Sequence, residues 1–256
     1  MNVYRYDVFC DDSALGNPCG VVLLDQWLSD QALLTLAKEI AQPVTSFIVE
    51  DNERHHIRWF SMTSEINLCG HGSLGAGAAL IDRLGKREIL LESEYGNITV
   101  SQQGDLYQME LPSWKAKPVK SNSIINALGL SPIDVFGTRD LVAVLDSEEA
   151  VSHFKPDFDL ISEIEDYHGF IITAQGNPGE YVLRYFVPKV GIPEDIATGT
   201  AQCSLAPYWF DKMGVTKLNV RQLSRAGGYF RLEVYSQESI LISAYVKERT
   251  ELISIK

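Results

Sequence analysis

The 256-residue chain is poor in cysteine, in positive charge and in long apolar runs, and each shortage removes a class of protein. Its four cysteines (Cys10, Cys19, Cys69 and Cys203) are scattered and form no CxxC pair. A disulfide framework and a structural zinc site are therefore not expected, and no metal is assigned. Lys and Arg number 22 against 34 Asp and Glu, a formal charge of −12 with no basic cluster to offset it locally. Such a field repels phosphate backbones, so neither nucleic acid nor an anionic membrane is an expected partner. No apolar run approaches the ~20 residues that span a bilayer. The first residues, Met1 to Asp7, lack the basic flank and apolar stretch of a signal peptide, which makes a cytoplasmic location the expectation. The rest is ordinary globular composition, 45% hydrophobic and 22% charged, long enough for one large or two modest domains.

Alternation and turn residues place strands over 3–9 and 20–24, separated by the turn-rich Gly16-Asn17-Pro18. Ser29 reads as an N-cap, followed by Leu33, Leu34, Leu36, Ala37, Ile40 and Ala41 on one helical face. Strands are expected at 45–49 and 55–60, then a helix opened by Gly70-His71-Gly72-Ser73 and stopping near Gly85. Three more strands follow at 88–92, 97–102 and 106–111. From Pro112 to Pro118 the pattern breaks, which sets a boundary between lobes at 1–113 and 114–256, with the extreme C-terminus left free to return to the first. The second half has helical pieces near 123–128 and 147–154, strands at 169–173 and 181–187, a Gly-opened helix starting near Gly199, and closing strands. Helices and strands mix without regular alternation, so the class is α+β rather than a doubly wound parallel sheet.

Two segments echo each other. Ile57-Arg58-Trp59-Phe60 is matched by Leu183-Arg184-Tyr185-Phe186. An acid follows each strand, and four positions later comes a small nucleophilic residue and a glycine: Glu65 before Cys69-Gly70-His71-Gly72, and Glu194 before Thr198-Gly199-Thr200-Ala201. A glycine-bearing turn at a helix start leaves N–H donors unpaired, a natural cradle for a carboxylate. The first copy also contains a literal GxGxxG, Gly70-His71-Gly72-Ser73-Leu74-Gly75, with Glu92 at the end of the next strand. That supports a rival reading, a nicotinamide-dependent oxidoreductase. Against it, the match is not in the first βα turn of the chain, and no regular βαβ repetition follows.

The ordered set of these pieces resembles the phenazine-biosynthesis PhzF family, which shares the diaminopimelate-epimerase fold. The resemblance rests on Tyr6-Asp7-Val8-Phe9, Gly16-Asn17-Pro18, Ile57-Arg58-Trp59-Phe60, Leu68-Cys69-Gly70-His71, Arg184-Tyr185-Phe186-Val187-Pro188 and Glu194-Asp195-Ile196-Ala197-Thr198-Gly199-Thr200-Ala201. It implies two similar lobes, each a curved mixed sheet around a central helix, with the site in the cleft. It also implies a homodimer without metal or organic cofactor, and a reaction that moves a proton on a small carboxylate.

By the same resemblance Asp195 is the active-site aspartate and His71 the cleft histidine, each with a plainer role open to it: a helix-capping acid and a structural imidazole. Cys69 holds the position of a catalytic thiol in the epimerase branch. Its partner position is Thr198, a poor base, so a two-thiol mechanism is not expected and a packing role for Cys69 is favoured. Asn17, Gly70, Gly72, Ser73, Gly199 and Thr200 are the candidate substrate-binding residues, and Glu65 is a further candidate base. One departure matters most. Where isomerase members carry a proton-abstracting glutamate, the run here is Pro43-Val44-Thr45-Ser46-Phe47, and valine cannot move a proton. An isomerase or epimerase with a rearranged acid/base set is the leading expectation, and a catalytically silent carboxylate binder the alternative.

Overall fold

The computed structural model describes residues 2–119 and 123–254, with side chains through 249. Its backbone divides into two compact units, Met1–Glu110 with Ser243–Lys256, and Leu111–Ile242.

The first unit runs β1 (Asn2–Cys10), β2 (Asn17–Leu24), α1 (Asp30–Ile40), β3 (Val44–Asp51), β4 (Arg54–Phe60), β5 (Glu65–Ile66), α2 (Gly70–Leu84), β6 (Glu88–Ser93), β7 (Gly96–Gln103) and β8 (Leu106–Pro112). The pairing alternates: β1/β2 antiparallel, β2/β3 parallel, β3/β4 antiparallel, β4/β6 parallel, β6/β7 antiparallel. In the second unit β9 (Lys117–Pro118) and α3 (Ser123–Ala127) precede β10 (Asp134–Gly137), β11 (Leu141–Val144), α4 (Glu148–His153), α5 (Phe158–Ser162), β12 (Phe170–Gln175) and β13 (Glu180–Val187). Then come β14 (Ile192–Glu194), α6 (Gln202–Met213), β15 (Lys217–Gln222) and β16 (Gly228–Val234). From β10 to β16 the same alternation returns: β10/β11 antiparallel, β11/β12 parallel, β12/β13 antiparallel, β13/β15 parallel, β15/β16 antiparallel. The sequence echo is thus one half-fold used twice, and the class is α+β. The last strand, β17 (Ser239–Ser254), pairs antiparallel with β1 from Cys10↔Tyr245 to Asn2↔Ser254.

Each strand expected through residue 111 is found, lengthened at its ends by hydrogen bonding. Ser29 caps α1 by accepting from Ala32 N–H. Two expectations need correction. Asn17 and Pro18 are not in a turn: they begin β2, opposite Val8 and Asp7. The chain reverses earlier, at Gly16, whose φ of +76° and the Val8 carbonyl 2.5 Å from where a Cβ would sit require glycine. Regular α6 begins at Gln202 rather than Gly199, because the carbonyls of Gly199, Thr200 and Ala201 are taken by N–H groups three residues on.

Helix α2 is the core of its unit, with residues 72–81 all buried. Such a helix has no polar face to spare, and its glycines and alanines let strands approach on several sides. An added Cβ on Gly75 would lie 2.5 Å from Cys19 Sγ, and one on Gly72 2.9 Å from Trp59 Cδ1. A second layer packs outside the sheet, where Leu33, Ala37 and Ile40 of α1 meet Val3, Val22, Phe47 and Phe60. In the other unit Val151 of α4 and Ile161 of α5 meet Leu141, Phe170, Val182 and Phe186 in the equivalent way. Strands covered on both faces explain why β2, β3, β11 and β12 read as near-continuous apolar runs.

The glycine at 75 gives a direct test. Gly75→Ala should destabilise the protein by about 1–3 kcal/mol through overpacking, read as a lowered urea midpoint. Adding Cys19→Ala, which removes the clashing sulfur, should recover most of the loss.

Candidate active site

The echoed strands set two side-chain faces. In the first unit Arg58 and Phe60 of β4 turn toward α1, and Trp59 between them turns toward the start of α2. Arg58 grips Glu65 with both arms, Nε to Oε1 at 2.7 Å and Nη2 to Oε2 at 2.6 Å, and Nη2 also reaches Asp30 of α1 at 2.8 Å. In the second unit Arg184 grips Glu194 likewise, at 2.7 and 2.9 Å, and its Nη1 donates to the Phe154 carbonyl past α4 at 2.7 Å. Both guanidiniums lie over the phenylalanine two residues on, at 5.2 Å from Phe60 and 5.1 Å from Phe186. The paired registers agree as well, Phe60↔Glu65 and Phe186↔Glu194. Glu65 therefore belongs to a strut facing the outer helix, and its role as a base is corrected: both oxygens are held by Arg58.

Beyond the strut in the first unit comes the turn into α2. Cys69 is 7% exposed and acts as N-cap, its Sγ accepting from Gly72 N–H at 3.4 Å. Ser73 is fully buried and sends both its N–H and its hydroxyl to the Cys69 carbonyl, at 2.9 and 2.7 Å. The Gly72 carbonyl accepts from Ser46 at 2.9 Å. Gly72 and Ser73 thus spend their donors on starting the helix. Gly70 and His71 keep backbone N–H groups with no acceptor among the described residues. The His71 ring is placed by its Nδ1, 3.4 Å from Cys69 Sγ, and its buried Nε2 has no partner among the described residues. Burial pushes the imidazole down to about 4, so at neutral pH it is uncharged, with one nitrogen a donor and the other an acceptor. Val44 is 4% exposed and abuts this turn, its Cγ1 being 3.2 Å from the Gly72 Cβ position. Position 44 thus faces the start of α2, and it supplies only methyl groups there. Asn17 is fully buried at the head of β2.

The second turn is built differently. Asp195 directly follows Glu194 of the strut, and its N–H donates to the Tyr185 carbonyl at 3.0 Å. Its carboxylate accepts from Thr198 Oγ1 at 2.6 Å and Ile196 N–H at 2.9 Å. Gln222 clamps the same turn from β15, accepting from Thr198 N–H and donating to the Asp195 carbonyl, both at 2.8 Å. Gln202 donates to the Thr198 carbonyl at 3.0 Å and itself receives the Tyr181 hydroxyl. Held this way, the backbone N–H groups of Gly199, Thr200 and Ala201 have no acceptor among the described residues, although Gly199 and Ala201 are buried.

Reading the sequence missed one cluster beside this turn: Arg139, the fully buried Asp140, and Tyr185, whose hydroxyl donates to Asp140 at 2.9 Å. The echo, carried upstream through the strand registers, would have led to it. The GxGxxG reading is corrected too, since Gly70 to Gly75 lie inside α2 with two of their glycines packed on Trp59 and Cys19, leaving no turn for a pyrophosphate. Among the described residues no three His, Cys, Asp or Glu side chains are arranged to hold a metal ion. No helix there is long and apolar enough to cross a membrane.

Comparison with known proteins decides the family. The PhzC-PhzF model, described as phenazine biosynthesis-like protein, matches residues 6–239. The chain belongs to that family. An uncharacterized isomerase of Vibrio cholerae is 54% identical over 244 residues, covering 95% of this chain and 88% of that protein. A crystal structure of a putative phenazine biosynthesis PhzC/PhzF protein from Clostridium difficile superposes with a TM-score of 0.93 at 33% identity, covering 100% and 99% of the two chains. A probable proline racemase from Agrobacterium radiobacter shares the fold, with a TM-score of 0.66 at 11% identity over 100% and 93%. The PhzC-PhzF chain thus has the epimerase-like architecture that its motifs imply.

The buried imidazole has a consequence for stability. A histidine whose folded pKa lies below its unfolded value near 6.5 binds its proton first in the unfolded chain. Its contribution is intact above pH 6.5 and is lost as pH falls toward 4, at up to about 1.4 kcal/mol per pH unit. Burial lowers His55 and His168 in the same direction. His71→Gln should flatten the acid limb of the urea midpoint between pH 6.5 and 4, and an unchanged limb would remove His71 as its source.

Proposed function

We propose that the protein is an isomerase or epimerase that moves a proton on a small carboxylate-bearing molecule without an organic cofactor, with Asp195 as the proton carrier. One observation carries the reading: a carboxylate oriented by Thr198 and Ile196 stands in the same turn as three backbone donors that have no acceptor among the described residues. Asp195 takes a proton from the carbon next to the substrate carboxylate. The electron pair of that C–H bond moves onto the carboxylate oxygens, and unpaired N–H groups stabilise the charge that develops there. The proton then returns to carbon at a new face or a new position. The isomerase name of the Vibrio relative agrees with this class of reaction. His71 and Cys69 remain the acid candidates of the first unit, through the unpartnered Nε2 and the thiol beside Nδ1. A homodimeric assembly belongs to the same reading and rests on the family alone.

Val44 favours a second reading, a carboxylate-binding protein without turnover. It places methyl groups against the α2 start, where isomerase members carry their base.

The two readings separate in D₂O with a panel of amino acids, hydroxy acids and cyclohexadiene carboxylates, followed by NMR. The native protein should exchange a C–H next to a carboxylate, and Asp195→Asn should slow it by about 10²–10⁴-fold. Undiminished exchange in Asp195→Asn removes Asp195 from the role. Saturable binding with no exchange by the native protein selects the binder. Val44→Glu should fold with reduced stability, since a carboxylate at a 4% exposed position is desolvated. Exchange appearing only in that variant would mean that the isomerase step depends on a base at position 44.

A further inference from the structure

In the second unit the strand registers place a charged pair where the first unit has none. Cys19 sits one residue before the Gly20↔Thr45 pair, and Thr45 pairs with Phe60. Asp140 sits one residue before Leu141↔Phe170, and Phe170 pairs with Phe186. Arg139 and Asp140 thus stand in the places of Pro18 and Cys19, and Tyr185 in the place of Trp59. On the first unit's side these positions are uncharged. On the second they form a compact network: Arg139 Nε donates to Asp140 Oδ2 at 3.2 Å, and Arg139 Nη2 to Tyr185 Oη at 3.1 Å. Nη2 also lies 3.3 Å from Thr200 Oγ1, and the guanidinium covers the Trp114 indole at 5.3 Å.

A buried ion pair alone would explain Asp140, whose side chain is 0% exposed, but not the whole of Arg139, which is 36% exposed. Its Nη1 makes no hydrogen bond among the described residues. Thr200, the residue it touches, belongs to the turn whose N–H groups at 199, 200 and 201 are also without acceptors. Because the Thr200 hydroxyl accepts from Arg139, its own hydrogen remains to be donated. A cation, a hydroxyl and three amides are thus collected at one turn of a protein whose net charge is −12. Asp140 and Tyr185 hold the guanidinium in place, and Trp114 shields one face of it, so little side-chain freedom is lost when an anion arrives.

We propose that Arg139 is the charged arm of the anion position at residues 198–201, and that it selects substrates carrying a carboxylate over their uncharged amide counterparts. This rests on the reading that the same turn binds substrate. A guanidinium fork pairs with two carboxylate oxygens in a way that a point charge does not. Arg139→Lys therefore keeps the countercharge to Asp140 while losing the fork.

The test uses the full chain, with benzoate and benzamide as probes. Amide resonances of Gly199, Thr200 and Ala201 are followed in ¹H–¹⁵N NMR titrations. In the native protein benzoate should shift all three, and benzamide should bind at least tenfold more weakly. Arg139→Lys should weaken benzoate by about 10- to 100-fold and leave benzamide within about twofold, with amides remote from the turn unmoved. The paired variant Arg139→Met with Asp140→Asn, which leaves no uncompensated carboxylate, should show the same loss. Unchanged benzoate affinity in both variants overturns the role of Arg139 and leaves the turn as a site intact. Absence of any benzoate-dependent shift at the three amides of the native protein overturns the turn as a carboxylate site, and Arg139 with it.

Discussion

One bidentate contact recurs in each unit and braces the short strand that leads into each candidate turn. Arg58 with Glu65 and Arg184 with Glu194 each tie an inner strand to the short strand that returns beside it. Each pair also reaches the outer helical layer, through Asp30 of α1 or the carbonyls at the end of α4. A carboxylate held at two oxygens has one orientation, and the residue that follows it begins the turn. In the second unit that residue is Asp195. Partly buried pairs of this kind add little net stability against apolar replacements of similar size. Their value lies in geometry: they lead into the turns whose backbone donors have no acceptor among the described residues.

From that shared frame the halves have diverged. Around α2 the polar groups are a cysteine and an imidazole whose charged form burial disfavours, with valine and tryptophan alongside. Around the start of α6 they are carboxyl and guanidinium groups: Asp195, Arg139 and Asp140, with Tyr185 between the latter two. Burial and the neighbouring Asp140 push the Tyr185 phenol up, so it stays protonated and donates. A duplicated fold allows such a division, because each copy keeps its own packing while its polar lining changes.

Legibility in the sequence followed the range of the interaction. Strands such as β7 and β8 were readable because alternation and turn residues are local, and α1 because Ser29 and its apolar stripe lie within a few residues of one another. The repeat was readable because the Arg58-Trp59-Phe60 and Arg184-Tyr185-Phe186 strands match, and Glu65 and Glu194 each stand four residues before a small residue and a glycine. Cys69, His71, Asp195 and the Gly199 turn could be named, but not how their donors are used. Gly72 and Ser73 looked available until the partners Cys69 and Ser46 were seen. Arg139 and Asp140 escaped because their meaning depends on strand β13 folding alongside, some 45 residues away in sequence. Asn17 was assigned to a turn since Gly-Asn-Pro favours one, and the ladder to Val8 overrode that preference.

The strand from Ser239 to Ser254 completes the ladder begun by β1, pairing Asn2 with Ser254. The first unit is therefore discontinuous in the chain, whereas Leu111–Ile242 is a single uninterrupted stretch. On the ribosome β1 finds β2 at once but waits for β17, and the ladder between β1 and β17 has the longest loop to close. All residues of the second unit are synthesised before the last strand of the first is complete, so its ladders have their partners available while β1 still has one open edge.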